Sequence, residues 1–346
     1  MAEISDRYSR QARFAPIGPQ GQKRLGSSRV TVVGCGALGA LSASWLARAG
    51  VGHLRILDRD LVEESNLQRQ ILFDQEDVRR RLPKAVAAER HLGAINPEIR
   101  VEGIVADLNW RNIDTLIDPG VCDLILDGTD NFETRFLLND HAVRHTIPWI
   151  YGACVGSYGI TLPIIPGKTP CLRCLLATAP PPGSTPTCDQ AGILAAVAGV
   201  IASHQTSEAL KILTGNLEKV CGELLTVDLW ENRWMRTRAG RSEFPGPCVC
   251  CTEGRFEYLE GEKGAMETTL CGRESVQILP PDPIDLDLEA LSGNLKDAGR
   301  IERNRFLLRL ELPEQVLVVF PDGRALISGT KDPAVARSLY ARYVGS

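Results

Sequence analysis

One short stretch constrains this chain more than any other. The β-branched run Arg29-Val-Thr-Val-Val breaks into Gly34-Cys-Gly-Ala-Leu-Gly39 and then into an Ala/Leu-rich helical stretch over 38–49. In such a strand, turn and helix, one glycine turns the chain, another lets a phosphate approach the backbone, and the third lets helix and strand pack. The helix N-terminus adds amides that favour an anion. A second strand over 54–58 ends in Asp58, where a ribose hydroxyl would lie, and completes a βαβ unit of parallel strands.

Further strand-like runs at 99–105, 124–127 and 148–153 alternate with helical stretches at 84–95 and 133–145. That alternation predicts a doubly wound, Rossmann-like α/β domain with a mostly parallel sheet. Beyond it, 156–165 reads as extended and 191–213 as one long, nearly uncharged buried helix, with a subunit interface as one reading. Segments 223–229 and 234–238 read as a hairpin-like return. We expect a catalytic domain over 1–255, a linker over 256–264 and a small α+β domain over 265–346. The last contains helices at 286–295 and 333–343 and a hairpin around Asp322-Gly323.

The composition of the 346 residues narrows the function classes: 24% are charged, 44% hydrophobic, and the net charge is −4. A nucleic-acid binder carries a basic excess or patch, and a disordered chain is poorer in aliphatic residues. The longest nearly uncharged apolar stretch, 193–203, falls short of the ~18 residues of a membrane span. The first residues, Met1-Ala-Glu-Ile-Ser-Asp, lack a signal pattern. A soluble, cytoplasmic protein is expected, with no nucleic-acid or membrane partner.

The glycine turn alone leaves NAD and ATP open. Leu57-Asp-Arg-Asp-Leu-Val-Glu-Glu-Ser-Asn-Leu-Gln-Arg-Gln70 ends in a dense polar cluster that a nicotinamide site does not need. Cleaving a nucleoside triphosphate does need cations where charge develops on departing pyrophosphate, and Arg69 and Lys84 are the candidates. Leu126-Asp-Gly-Thr-Asp-Asn131 lies at a strand C-terminus, the edge where ligands collect in open α/β sheets, and places Asp130 to hold Mg²⁺. Each residue also has an ordinary reading: solvated charges for Arg69 and Lys84, a turn residue for Asp58, a helix N-cap for Asp130.

Arg7-Tyr-Ser-Arg-Gln, Gly34-x-Gly-x-x-Gly, Asp58-x-Asp, Asn66-Leu-Gln-Arg-Gln, Pro83-Lys, Asp127-Gly-Thr-Asp-Asn, two Cys-x-x-Cys pairs and Thr187-Cys-x-x-Ala-Gly stand in one order. Over residues 5–255 the chain resembles the ThiF/MoeB/HesA adenylyltransferases, the bacterial branch of the ubiquitin-activating enzyme superfamily. The resemblance implies a homodimer that uses MgATP to adenylate the C-terminal glycine carboxylate of a ubiquitin-like sulfur carrier protein. Gly36 and Gly39 would line the nucleotide, Asp58 take the ribose, Asn66, Arg69 and Lys84 face the phosphates, and Asp130 coordinate magnesium, with Arg10 reaching in from the other subunit. A sulfur donor such as a cysteine desulfurase would then act on the activated carrier.

Eleven cysteines, an odd number, do not form a secreted disulfide framework. Cys171-Leu-Arg-Cys174 and Cys248-Val-Cys-Cys251 have the two-residue gap of metal-binding turns and together predict a structural Zn²⁺ site. Cys250 competes with Cys251 for the fourth position, and a redox dithiol or unrelated core cysteines are the alternatives. Cys188, ahead of the long helix, reads either as a reactive thiol activated by a helix N-terminus or as an incidental one. In the family the matching cysteine joins the activated carrier. Cys35 is read as packing, and Cys122, Cys154 and Cys221 as core.

In the tail, Thr268-Thr-Leu-Cys-Gly-Arg-Glu-Ser-Val-Gln277 and Phe320-Pro-Asp-Gly-Arg resemble the extension of ThiF-type proteins of thiazole synthesis. This favours a ThiS-type carrier for thiamine over a MoaD-type carrier for molybdopterin. An NAD-dependent oxidoreductase and a non-catalytic carrier scaffold are the rivals from other classes.

Overall fold

β-branched residues build the first strand, β1 (Arg29–Val33), whose last four side chains are buried. It leads into the Ala37–Ala49 helix, which stops where Gly50 turns left-handed at φ +81° and its amide caps the Ala47 carbonyl. Next come β2 (His53–Asp58), the Lys84–Ile95 helix, β3 (Arg100–Val105), β4 (Leu124–Asp127) and the Phe132–His145 helix. Then follow β5 (Trp149–Val155), β6 (Tyr158–Ile164), the Ala195–Thr214 helix, β7 (Leu224–Asp228) and β8 (Arg233–Thr237). This computed structural model describes residues 5–180, 188–238, 247–263, 267–269, 275–280 and 284–345.

Among the described residues these eight strands form one sheet in the order β3-β2-β1-β4-β5-β6-β7-β8. Pairing is parallel from β3 through β5 and antiparallel from β5 to β8. The chain steps outward from β1 to β2 and β3, then returns to the other flank of β1 as β4. The topological switch therefore lies between β1 and β4, and ligands collect there beyond the strand C-termini. Register brings three such ends together: Val33 pairs with both Leu57 and Asp127. Beneath this edge Ile125, Phe136, Leu138 and Trp149 are fully buried, and the Phe132–His145 helix is started by Asn131, whose side chain accepts from the Thr134 amide.

The single helix expected over 191–213 is two pieces. A short turn of helix, Cys188–Ala191, ends at Gly192 with φ +72°. Ile193 then bridges Gly156, whose carbonyl accepts from the Leu194 amide at 2.8 Å, and the long helix opens only at Ala195. Backbone pairing to the end of β5 overrides the helical propensity of this stretch.

The chain divides into two units, Met1–Gly264 and Ala265–Ser346. Within the second, β9 (Glu267–Thr269), β10 (Ser275–Ile278), β11 (Arg300–Arg303), β12 (Leu308–Glu311), β13 (Val316–Val319) and β14 (Ala325–Ser328) form an antiparallel sheet in the order β11-β12-β13-β14-β10-β9. The Leu288–Asn294 and Pro333–Tyr343 helices complete it, and Leu308, Leu310, Leu317, Ile327 and Ala336 form its own core. The β13–β14 hairpin turns at Gly323, φ +80°. Among the described residues no helix is long and apolar enough to cross a membrane.

Candidate active site

The three glycines of the fingerprint are not equivalent. Gly34 turns left-handed at φ +83°, and a Cβ there would stand 2.6 Å from the Gly128 carbonyl oxygen. Gly39 is buried, and a Cβ on it would collide with the Gly34 carbonyl. Gly34, Gly39 and Gly128 thus interlock β1, the helix and the end of β4. At Gly36 a Cβ would meet nothing nearer than 3.9 Å. That position borders open space beside the helix N-terminus, and the role expected of both residues divides: Gly36 faces the site while Gly39 packs beneath it.

Asp58, at the end of β2, is buried, and its carboxylate accepts from the Cys35 amide at 2.6 Å and the Asp60 amide at 2.7 Å. Burial raises its pKa, against the pull of Lys84. Residues 60–62 run beside 82–84: the Lys84 amide donates to the Asp60 carbonyl, and Leu61 bridges Pro83. This backbone pairing holds Lys84 Nζ 3.0 Å from Asp60 Oδ2 although the side chain is buried. Burial disfavours the ammonium, but Asp60, Asp58 and Asp130 outweigh it and the pKa rises. Asp60 and Asp130 also act on Arg59, which bonds Asp107 at 2.7 Å and likewise stays cationic against burial.

Asp130 is exposed at the β4 edge, within the field of Lys84, Arg59 and Arg135. It is not the helix N-cap, a task Asn131 performs. The turn that presents it is fixed from below. Asp127 accepts from the Thr129 amide and hydroxyl at 2.9 and 2.7 Å, and Arg135 bonds Asp127 at 3.3 Å in a fully buried pair.

Asn66 is buried in the turn after β2, where its Oδ1 accepts from the Glu63 amide at 3.3 Å. Arg69 folds back on this turn, donating to the Ser65 carbonyl at 2.8 Å. Gln70 is buried over the glycine turn, its Nε2 being the 3.9 Å neighbour at Gly36, and its Oε1 has no hydrogen-bond partner. Arg10 is exposed on the Ser9–Arg13 helix. Its neighbour Gln11 donates to the Ala49 carbonyl, at the far end of the glycine-turn helix and so ~20 Å from the turn. Within one chain Arg10 does not join the cluster.

Sequence reading passed over Arg59, Arg135 and Gln70. Arg59 is the middle residue of the quoted Asp58-x-Asp motif and Gln70 closes another, so position was signal enough for both. Arg135 acts only through burial, which no spacing reveals.

Although 73 residues separate Cys174 from Cys248 in sequence, the fold brings the four cysteines of the two pairs together with spacing suited to a metal. Cys171 Sγ lies 3.8 Å from Cys174 Sγ and 3.7 Å from Cys248 Sγ, Cys174 Sγ lies 3.5 Å from Cys251 Sγ, and all four are within 4.8 Å of one another. A tetrahedron of ~2.3 Å zinc–sulfur bonds has edges of ~3.8 Å, so the set fits Zn²⁺. Cys250 is buried beside this group but not part of it, accepting from Asn139 Nδ2 at 3.3 Å, while Asn139 Oδ1 accepts from the Leu172 amide. Cys251 therefore completes the group and Asn139 ties both turns to the Phe132–His145 helix.

Cys188 opens the short Cys188–Ala191 turn, and its side chain is outside the described residues, as is Cys271. The break at Gly192 removes the expected long-helix N-terminus from beside Cys188. Cys35 is fully buried and its thiol pKa is pushed up by burial and by Asp58, in keeping with packing. Cys122 and Cys154 pack against apolar clusters, whereas Cys221 is half-buried at Glu223.

Residues 8–250 match the ThiF family. The chain belongs to that family. It is 46% identical to the sulfur carrier protein ThiS adenylyltransferase of Bacillus subtilis, over 99% of this chain and all of that one. It is 39% identical to a sulfur carrier protein adenylyltransferase of Thermus thermophilus, over 72% of this chain and 92% of the other. Among solved structures, E. coli MccB with ATP matches with a TM-score of 0.61 at 23% identity, covering 71% of this chain and 75% of that one. That likeness concerns the fold. ThiF-family membership replaces the nicotinamide reading of the glycine turn.

Proposed function

We propose that this ThiF-family chain is an adenylyltransferase acting on the C-terminal glycine carboxylate of a ThiS-type ubiquitin-like sulfur carrier, ahead of thiocarboxylate formation for thiamine thiazole synthesis. The observation that carries the reading is the match to the B. subtilis ThiS adenylyltransferase along 99% of the chain, second unit included.

In this reaction a carboxylate oxygen attacks the α-phosphorus, forming the mixed anhydride bond of an acyl adenylate. The bond from that phosphorus to the bridging oxygen breaks, and its electron pair leaves with pyrophosphate. Catalysis is mostly positioning and charge neutralisation. Gly36 and the helix amides receive phosphate oxygens, with Gly39 shaping the turn beneath them, and Asp58 takes the ribose. Lys84 exchanges Asp60 for phosphate, and Asn66 and Arg69 swing from their turn toward the same charge. Asp130 would hold the magnesium ion, which supplies charge neutralisation to the triphosphate when bound. Cys171, Cys174, Cys248 and Cys251 would hold a structural Zn²⁺.

The remaining parts of the reading are a homodimer in which Arg10 of each subunit serves the other's site, a cytoplasmic location, and a cysteine desulfurase-type sulfur donor. After adenylation the Cys188 sulfur attacks the activated carbonyl carbon, forming a thioester as the carbonyl–oxygen bond to AMP breaks and AMP leaves, and Cys188 is not needed for adenylation itself. The 265–346 unit contributes to recognising carrier or donor, so deletion after Gly264 should lower carrier affinity and thiocarboxylate yield. Unchanged values would remove that role.

Intact-mass analysis of the carrier after incubation with enzyme and MgATP tests the reading. A ThiS-type carrier should gain AMP less water. Modification of a MoaD-type carrier alone would move the enzyme to molybdopterin synthesis. No adduct on either, with both carriers bound, would support a scaffold.

A further inference from the structure

The Phe132–His145 helix carries a second group of ligand-type side chains, on residues the proposed reaction does not use. His141 and His145 are one helical turn apart, the spacing that puts two imidazoles on one face, and their ring centroids are 4.7 Å apart. Facing them is Asp114, on the short Ile113–Leu116 helix. Asp114 Oδ1 lies 3.1 Å from His141 Nδ1 and 3.5 Å from His145 Nε2.

Two features separate this group from an ordinary buried histidine. His145 is largely buried, yet its Nε2, the ring atom aimed at Asp114, makes no hydrogen bond, while the fully buried His141 meets Asp114 through Nδ1. A buried polar atom left so costs about 1–3 kcal/mol. The spacings also match a coordination shell, since donors on ~2.0–2.1 Å zinc–nitrogen and zinc–oxygen bonds stand ~3.3 Å apart in a tetrahedron. The three donor atoms all fall within 4.8 Å of one another. The Ile117 backbone carbonyl also faces His141. Asp114 is exposed, which gives an ion a route in and leaves solvent access to a further coordination position.

We propose that Asp114, His141 and His145 form a divalent transition-metal site, separate from the thiolate cluster. Two imidazoles and one carboxylate select Zn²⁺, Co²⁺, Ni²⁺ or Cu²⁺ over the oxygen-seeking Mg²⁺ and Ca²⁺. His145 is the last residue of its helix, where the unpaired carbonyl ends favour a cation. A bound ion would clip the segment before β4 to the helix that follows it.

The test is Co²⁺ titration of the full-length protein with its thiolate cluster already zinc-loaded. The expected result is one further equivalent per chain with d–d absorption and no thiolate-to-cobalt charge-transfer band. His145→Ala should weaken uptake at least about tenfold and Asp114→Asn should weaken it too, with circular dichroism and ATP–pyrophosphate exchange unchanged in both. No further equivalent, uptake indifferent to both substitutions, or uptake accompanied by the charge-transfer band would overturn the site.

Discussion

Two glycines three residues apart show how differently one motif can use the same residue. A methyl at Gly39 collides with the Gly34 carbonyl, backbone against backbone, whereas a methyl at Gly36 enters space open in the ligand-free chain. Gly39→Ala should therefore destabilise the protein by at least about 2 kcal/mol, the scale of overpacking a tight interior. Gly36→Ala should stay within about 0.5 kcal/mol of the parent and raise the KM for ATP. Thermal melts beside nucleotide titrations check both. Equal destabilisation by the two substitutions would remove Gly36 from the site. The role proposed for Lys84 follows similar logic: its partner Asp60 balances it in the free chain, and on that proposal phosphate would replace the carboxylate without a change in protonation.

Most elements were legible because local sequence and tertiary demand agree. The Lys84–Ile95 helix, β4 and the Pro333–Tyr343 helix fall where periodicity and punctuation put them. The helix expected over 191–213 did not, because the pairing of Gly156 with Ile193 is a long-range contact invisible to propensity. The site divides along the same line. Gly36, Asp58, Lys84 and Asp130 were readable from motif position, while the buried Arg135–Asp127 support and the interlock of Gly34 with Gly128 depend on which strand ends become neighbours. The thiolate cluster is the clearest case of spacing that could be read directly, apart from the choice between Cys250 and Cys251. Cys174→Ser should abolish stoichiometric zinc and lower the melting temperature, since a structural site's binding free energy is folding free energy. Atomic absorption and calorimetry read the two effects, and a zinc-free protein with an unchanged melt would make the cluster a redox dithiol instead.

At the scale of the whole molecule, each unit has its own sheet and core, and Arg10 lies far from its own chain's glycine turn. If a second copy supplies Arg10, Arg10→Ala and Lys84→Ala proteins are each inactive, but mixing and re-equilibrating them creates dimers with one intact site. Activity should return to about a quarter of wild type, as random exchange in a two-fold dimer requires. A mixture that stays inactive would place Arg10 outside the site. The central claim, adenylation of a carrier's terminal carboxylate, is met most directly by ATP–pyrophosphate exchange with a ThiS-type carrier, intact and lacking its terminal glycine pair. We expect exchange with the intact carrier that disappears when the glycines are removed or when Arg69 is changed to Ala. Exchange that runs equally well without the glycine pair, or none with any intact carrier, would contradict it.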